Sequence, residues 1–144
     1  SFLFLLLVLI DQITKQVFLW DPACFEGSWL GSLVCIIPFR NYYFAFSLPL
    51  PFWVMYSVYA FILAGMFAYL YTSWQDFHQY EKQAWILIAA GAVSNIGERI
   101  ILGYVNEFIY IYGGAIINLA DIYIVVGLLS LLFYHVHQNQ KIKN

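Results

Sequence analysis

From Asn41 to Gln75 the chain carries no charged side chain, and within that run the stretch Phe52 to Thr72 is apolar almost throughout. A helix needs about 20 residues to cross the hydrocarbon core of a bilayer. This stretch is therefore long enough to span as one helix, and a chain built around it folds in a membrane. Composition agrees: 63% of the 144 residues are apolar and only 10% are charged, against about a quarter charged in soluble domains. With six Lys and Arg that do not cluster, the chain lacks the basic footprint of a nucleic-acid binder.

Three further stretches fit the same reading: residues 2–20, 84–102 and 116–136. The expected fold class is an all-α membrane protein, a four-transmembrane-helix bundle forming a single domain over residues 1–144. Residues 2–10 could pass for a signal peptide, but no basic flank or small-residue cleavage site accompanies them, so 2–20 is read as a span. The connection 21–51 is punctuated by Pro22, Gly27, Gly31, Pro38, Pro49 and Pro51, which suggests strands and turns lying on the membrane face. The aromatic loop 103–115 belongs at the interface. Lys82, Lys141 and Lys143 lie on one side, opposite Arg40, so the positive-inside rule places both termini in the cytoplasm.

Five charges fall inside the spans: Asp11, Lys15, Glu98, Arg99 and Asp121. An ionisable group there is costly and marks function by default. At about 1.5 Å per residue, Glu98 and Asp121 both lie roughly 6–8 Å below the same, non-cytoplasmic surface, and Lys15 has a similar depth. Asn95, Glu98 and Arg99 share one helix face, as do Asn118 with Asp121, and Asp11 with Thr14 and Lys15. Two arrangements fit this layer. Glu98 and Asp121 form a carboxyl pair in which one is protonated and one ionised, as in aspartic proteases; or the carboxyls pair with Lys15 and Arg99 as a buried ion network. Ion or proton transport is a third possibility.

Four blocks in order carry a family resemblance: Asp11 to Lys15 (DQITK), Arg40 to Ser47 (RNYYFAFS), Gly91 to Arg99 (GAVSNIGER) and Asn118 to Asp121 (NLAD). Together they resemble the lipoprotein signal peptidases (signal peptidase II), intramembrane aspartic endopeptidases of bacteria. The resemblance implies a small extracytoplasmic β-cradle, an interfacial helix before the last span, and a site near the periplasmic face of the inner membrane. It implies Asp121 and Glu98 as the catalytic acids, with Asn95, Arg99, Asn118 and Ala120 lining the site and Asn41, Asp11 and Lys15 around it. The implied substrate is a diacylglyceryl-modified prolipoprotein, cleaved before its lipidated cysteine by a monomer that needs no cofactor. Membrane lipid and globomycin-type lipopeptides are the other implied partners.

The sequence departs from the family pattern at Glu98, where Asp is expected, and at Ser94 and Tyr43, where Gly is usual. Asn106, Glu107 and Tyr110 replace an Asp-rich stretch. A displacement of about an ångström costs on the order of a hundredfold in rate, although Gly97 lets the backbone adjust. The alternatives are a catalytically impaired paralogue that binds lipidated signal peptides and a small four-span transporter with a membrane carboxylate. Cys24 and Cys35 lack Cys-x-x-Cys spacing, which weakens an oxidoreductase reading; they form a structural disulfide or stay as thiols. His135 and His137 face apart on a helix and, like His78, are read as solvated residues, so no metal site is expected. Tyr42, Phe44, Phe108 and Tyr112 are candidates for contact with substrate lipid.

Overall fold

The computed structural model describes residues 1–20, 34–43, 48–111 and 114–143. In chain order they form α1 (Phe2–Trp20), β1 (Val34–Asn41), α2 (Phe52–Ser73), α3 (Gln79–Leu102), β2 (Val105–Ile111), β3 (Ala115–Ile117) and α4 (Leu119–Lys143). Cys24, Phe44 and Tyr112 lie outside the described residues, as does most of the connection after α1.

Local chemistry accounts for the boundaries. Pro51 stands at the N-cap of α2, where its missing N–H costs nothing. The Glu81 carboxylate accepts from the His78 amide at 2.9 Å, half of a capping box, and α3 consequently starts five residues before the expected position 84. Gly103 ends α3 at φ 82, with its amide donating to the Arg99 carbonyl at 2.9 Å. A residue lacking Cβ takes this left-handed stop without strain.

The three strands form one antiparallel sheet in the order β1-β2-β3. Arg40 pairs with Asn106 and Asn41 with Val105, and the register slips between Ile36 and Phe39. Pro38 sits in that slip, where a residue without an N–H is tolerated. The expected β-structure after α1 is present as β1, but its partners come from the connection before α4. This corrects the expectation of an interfacial helix there: among the described residues, Ile109–Ile111 pair with Ala115–Ile117 as strands. The β-branched and aromatic residues of Val105–Ile111 suit a pleated surface better than a short helix. The same pairing delays the last helix, so α4 begins at Leu119 and not at 116.

Among the described residues three helices are long and apolar enough to cross a membrane: Phe52–Ser73, Gln79–Leu102 and Leu119–Gln138. The packing is inverted relative to a soluble protein. Phe61, Phe67 and Tyr71 on α2 are 71–85% exposed, whereas Asp11, Lys15 and Asn118 are fully buried. Large apolar side chains face outward because lipid solvates them, and polar groups turn inward because only protein can satisfy them. Met55 and Tyr59 of α2 pack on Ile96 of α3, and α3 lies between α1 and α4.

Close approach of α3 and α4 depends on small residues. A Cβ at Gly91 would collide with the Ala120 carbonyl oxygen and come within 2.8 Å of Ile124 Cγ1. Since backbone cannot swing aside, Gly91→Ala is expected to cost about 1–3 kcal/mol, read as a lowered melting temperature in detergent. Gly65→Ala, whose Cβ meets nothing within 4 Å, should melt like the parent.

Candidate active site

Lys15 is the hub of the buried layer. Its ammonium lies 2.9 Å from Asp11 Oδ2 and 2.8 Å from Glu98 Oε2, and it donates to Asn95 Oδ1 at 2.9 Å. An ammonium has three N–H donors, and three oxygens surround this one, two of them as ion-pair partners. Asp11 is tied down in turn: Ser94 Oγ donates to its Oδ2 at 2.5 Å and the Ala120 amide to its Oδ1 at 2.8 Å. The Asp11 carboxylate therefore stands at the N-terminus of α4, where unpaired amides and the helix dipole favour an anion.

Asp121 is held from two sides. Asn95 Nδ2 donates to its Oδ1 at 2.8 Å, and the Asn118 amide to its Oδ2 at 3.0 Å. The Asp121 amide donates back to Asn118 Oδ1 at 3.0 Å. This reciprocal pair is a capping box, with Asn118 as N-cap and Asp121 three residues on. The Asn-x-x-Asp spacing is thus both a helix start and a means of fixing a carboxyl. Asn118 Nδ2 also donates to Asn95 Oδ1 at 3.0 Å and to the Asn106 carbonyl at 3.2 Å, which joins the helices to the sheet.

Glu98 is placed differently from the expectation that it pairs directly with Asp121. Its Oε2 faces Lys15, and its Oε1 accepts from both the side chain and the amide of Asn106. Lys15 and Asn95 connect Glu98 to Asp121 through an ion pair and two hydrogen bonds. The physical reason is charge: a buried carboxylate takes the nearest ammonium before it approaches another carboxylate. For Glu98 the ion network is therefore the arrangement present. Arg99 points elsewhere, donating to Tyr59 Oη at 2.6 Å and to the Asn41 carbonyl at 3.1 Å, and so secures α3 to α2 and β1.

A further buried carboxyl, outside the spans, is Glu107 on β2. It is 8% exposed and accepts from Asn41 Nδ2 at 2.7 Å. Burial pushes its pKa up to about 7; the Asn41 hydrogen bond opposes this, and the Asp121 charge adds to it. The spans alone did not point to Glu107, because it lies outside them in an aromatic loop. The available signal was the pair Asn106-Glu107 in a largely apolar, aromatic segment, between the helix stop at Gly103 and the cap at Asn118. Of the expected site residues, Asp11, Lys15, Asn95, Glu98, Asn118, Ala120 and Asp121 thus meet in one network, while Arg99 and Asn41 form a separate set of bonds with Tyr59 and Glu107. Among the described residues no three His, Cys, Asp or Glu side chains are placed to hold a metal ion.

Residues 3–137 match the family model described as signal peptidase (SPase) II. The lipoprotein signal peptidase of Chlamydia pneumoniae is 29% identical over 142 residues, covering 89% of this chain and 84% of that protein. That of Caldicellulosiruptor bescii is 30% identical over 132 residues, covering 86% and 81%. A bacterial membrane enzyme solved in meso at 2.3 Å superposes with a TM-score of 0.79 at 21% identity, over 97% of this chain and 88% of that one.

Removing the hub leaves buried carboxylates without a cation. Lys15→Met is expected to destabilise the protein by about 3–5 kcal/mol, measured by unfolding in mixed micelles. Adding Glu98→Gln should restore part of the loss, because the orphaned charge is then gone.

Proposed function

The chain belongs to the signal peptidase II family, and from that premise we propose that it is an intramembrane aspartic endopeptidase acting on diacylglyceryl-modified prolipoproteins. It cleaves before the lipidated cysteine, and its acids are Asp121 and Glu107, with Glu98 as a structural anion. The observation that carries this reading is the pairing of environments. Asp121 is held by two N–H donors, while buried Glu107 keeps its proton up to about pH 7. One ionised and one protonated carboxyl are what general base and general acid require.

In the proposed step, Asp121 takes a proton from water as the water oxygen bonds to the scissile carbonyl carbon, and Glu107 gives its proton to the carbonyl oxygen. The gem-diol collapses as Asp121 returns its proton to the leaving nitrogen and Glu107 recovers one from a hydroxyl. The products are a carboxyl-terminated signal peptide and a free amine on the lipidated cysteine. Asn95 and Asn118 keep Asp121 oriented, and Asn41 does the same for Glu107.

In this reading α1 is a fourth crossing, both termini are cytoplasmic, and the sheet lies at the periplasmic face of a bacterial inner membrane. The signal helix enters laterally from the bilayer, and its diacylglyceryl group stays in lipid.

Cleavage of a purified lipidated prolipoprotein tests the assignment. Asp121→Asn and Glu107→Gln should each lower kcat by at least about a hundredfold. Full turnover in Glu107→Gln, with loss in a stably folded Glu98→Gln, returns the second acid to Glu98; no turnover by the parent chain favours an impaired paralogue.

The pH profile is a separate check. Activity should fall as pH rises through about 7, where Glu107 loses its proton. The Asn41 hydrogen bond favours the charged form, so Asn41→Leu should move this basic limb to higher pH.

A further inference from the structure

A cleft of about 680 Å³ opens beside the end of α1, between β1 and the junction of α3 with β2, lined by Gln16, Arg40, Tyr42, Leu102, Tyr104 and Asn106 among others. We propose that it binds one anionic glycerophospholipid whose head group carries a hydroxyl, as a resident lipid distinct from the substrate. Its volume is in the range of small-molecule sites.

Arg40 and Asn106 are direct cross-strand partners, so their side chains emerge on the same face of the sheet. The Arg40 guanidinium carbon lies 5.1 Å from the centroid of the Tyr104 ring, and the Tyr42 ring packs against Tyr104 at 5.3 Å. Aromatic packing therefore holds the cation at the cleft. Among the described residues the ion pairs are those of Lys15 with Asp11 and Glu98 and of His135 with Glu81. Among the described residues no carboxylate pairs with Arg40, in contrast to the buried Lys15.

Asn106 supplies the second observation. It is 2% exposed; its Nδ2 donates to Glu98 and its carbonyl accepts from Asn118, yet its side-chain oxygen Oδ1 is buried without a hydrogen-bond partner. A buried acceptor left unpaired is costly, and a hydroxyl donor satisfies it. The cleft thus presents a fixed cation for a phosphate and an acceptor for a hydroxyl.

Position selects the source. Leu102 is the last residue of α3 and Gln16 lies in the last turns of α1, so the cleft stands where a span meets the head-group layer. Ile101 and Leu102 beside it are 80% and 44% exposed, a surface suited to an acyl chain. A phosphate tethered to acyl chains matches this combination, and a phosphocholine head group has no hydroxyl to offer Asn106.

Native mass spectrometry of the full chain in detergent, titrated with phosphatidylglycerol, phosphatidylcholine or glycerol 3-phosphate, tests the proposal. One phosphatidylglycerol should be retained at least about tenfold more tightly than phosphatidylcholine. Retention should weaken with added salt, as expected of an accessible ion pair. Arg40→Gln and Tyr104→Leu should each reduce it by about tenfold or more, with circular dichroism unchanged. Equal retention of the two lipids, insensitivity to salt, or full retention by a folded Arg40→Gln overturns it. Saturation by glycerol 3-phosphate at the same concentration as the lipid also overturns it, since the site then takes a soluble phosphate.

Discussion

One buried ammonium organises this molecule. Lys15 carries its charge into the interior of the bundle, where desolvation is expensive unless every donor finds a partner. It finds three, on α1 and α3. Two of those partners extend the network: Asp11 reaches the α4 amide of Ala120, and Asn95 reaches the Asp121 carboxyl. The three helices are thus held in register by polar bonds that have no alternative partner in lipid. That supplies a directional constraint that apolar contact in a membrane lacks.

Rigid placement of Asp121 follows from that constraint together with the cap formed by Asn118. A carboxyl at the third position of a helix, fastened to its own N-cap, has little rotamer freedom left, and the Asn95 amide fixes its other oxygen. Asn106 connects this network to the sheet by accepting from Asn118 and donating to Glu98. The next residue, Glu107, faces Asn41. Alternation along β2 therefore sends one side chain into the structural network and the next to the site. The sheet is small, but it places two carboxylates of similar chemistry in different surroundings, Glu98 against Lys15 and Asn106 and Glu107 against Asn41.

Much of this was legible in the sequence. The scarcity of charge marked the membrane, and the helical spacing of Asn95 with Glu98 and Arg99, and of Asn118 with Asp121, marked the faces that converge. The surroundings of the individual carboxyls were less accessible. Glu98 lies at the right depth on the right helix, and depth alone does not reveal that Lys15 takes its carboxylate. Glu107 lies in a loop whose aromatic composition suggested only an interfacial position, and where the family resemblance implied a helix. Its contact with Asn41 depends on the pairing of Val105–Ile111 with a strand more than sixty positions earlier.

The sequence by itself determined that the chain is apolar enough for a bilayer, that three of its helical stretches are long enough to cross one, and that its buried ionisable groups lie on faces that can converge. These follow from composition and from the 3.6-residue period, which are local properties. Tertiary structure decided which charge neutralises which, which residues of the aromatic loop become strands, and which amides hold Asp121. Those outcomes depend on distances between residues far apart in the chain, and in a poorly solvated interior a shift of a few ångströms decides whether two groups form an ion pair or remain separate.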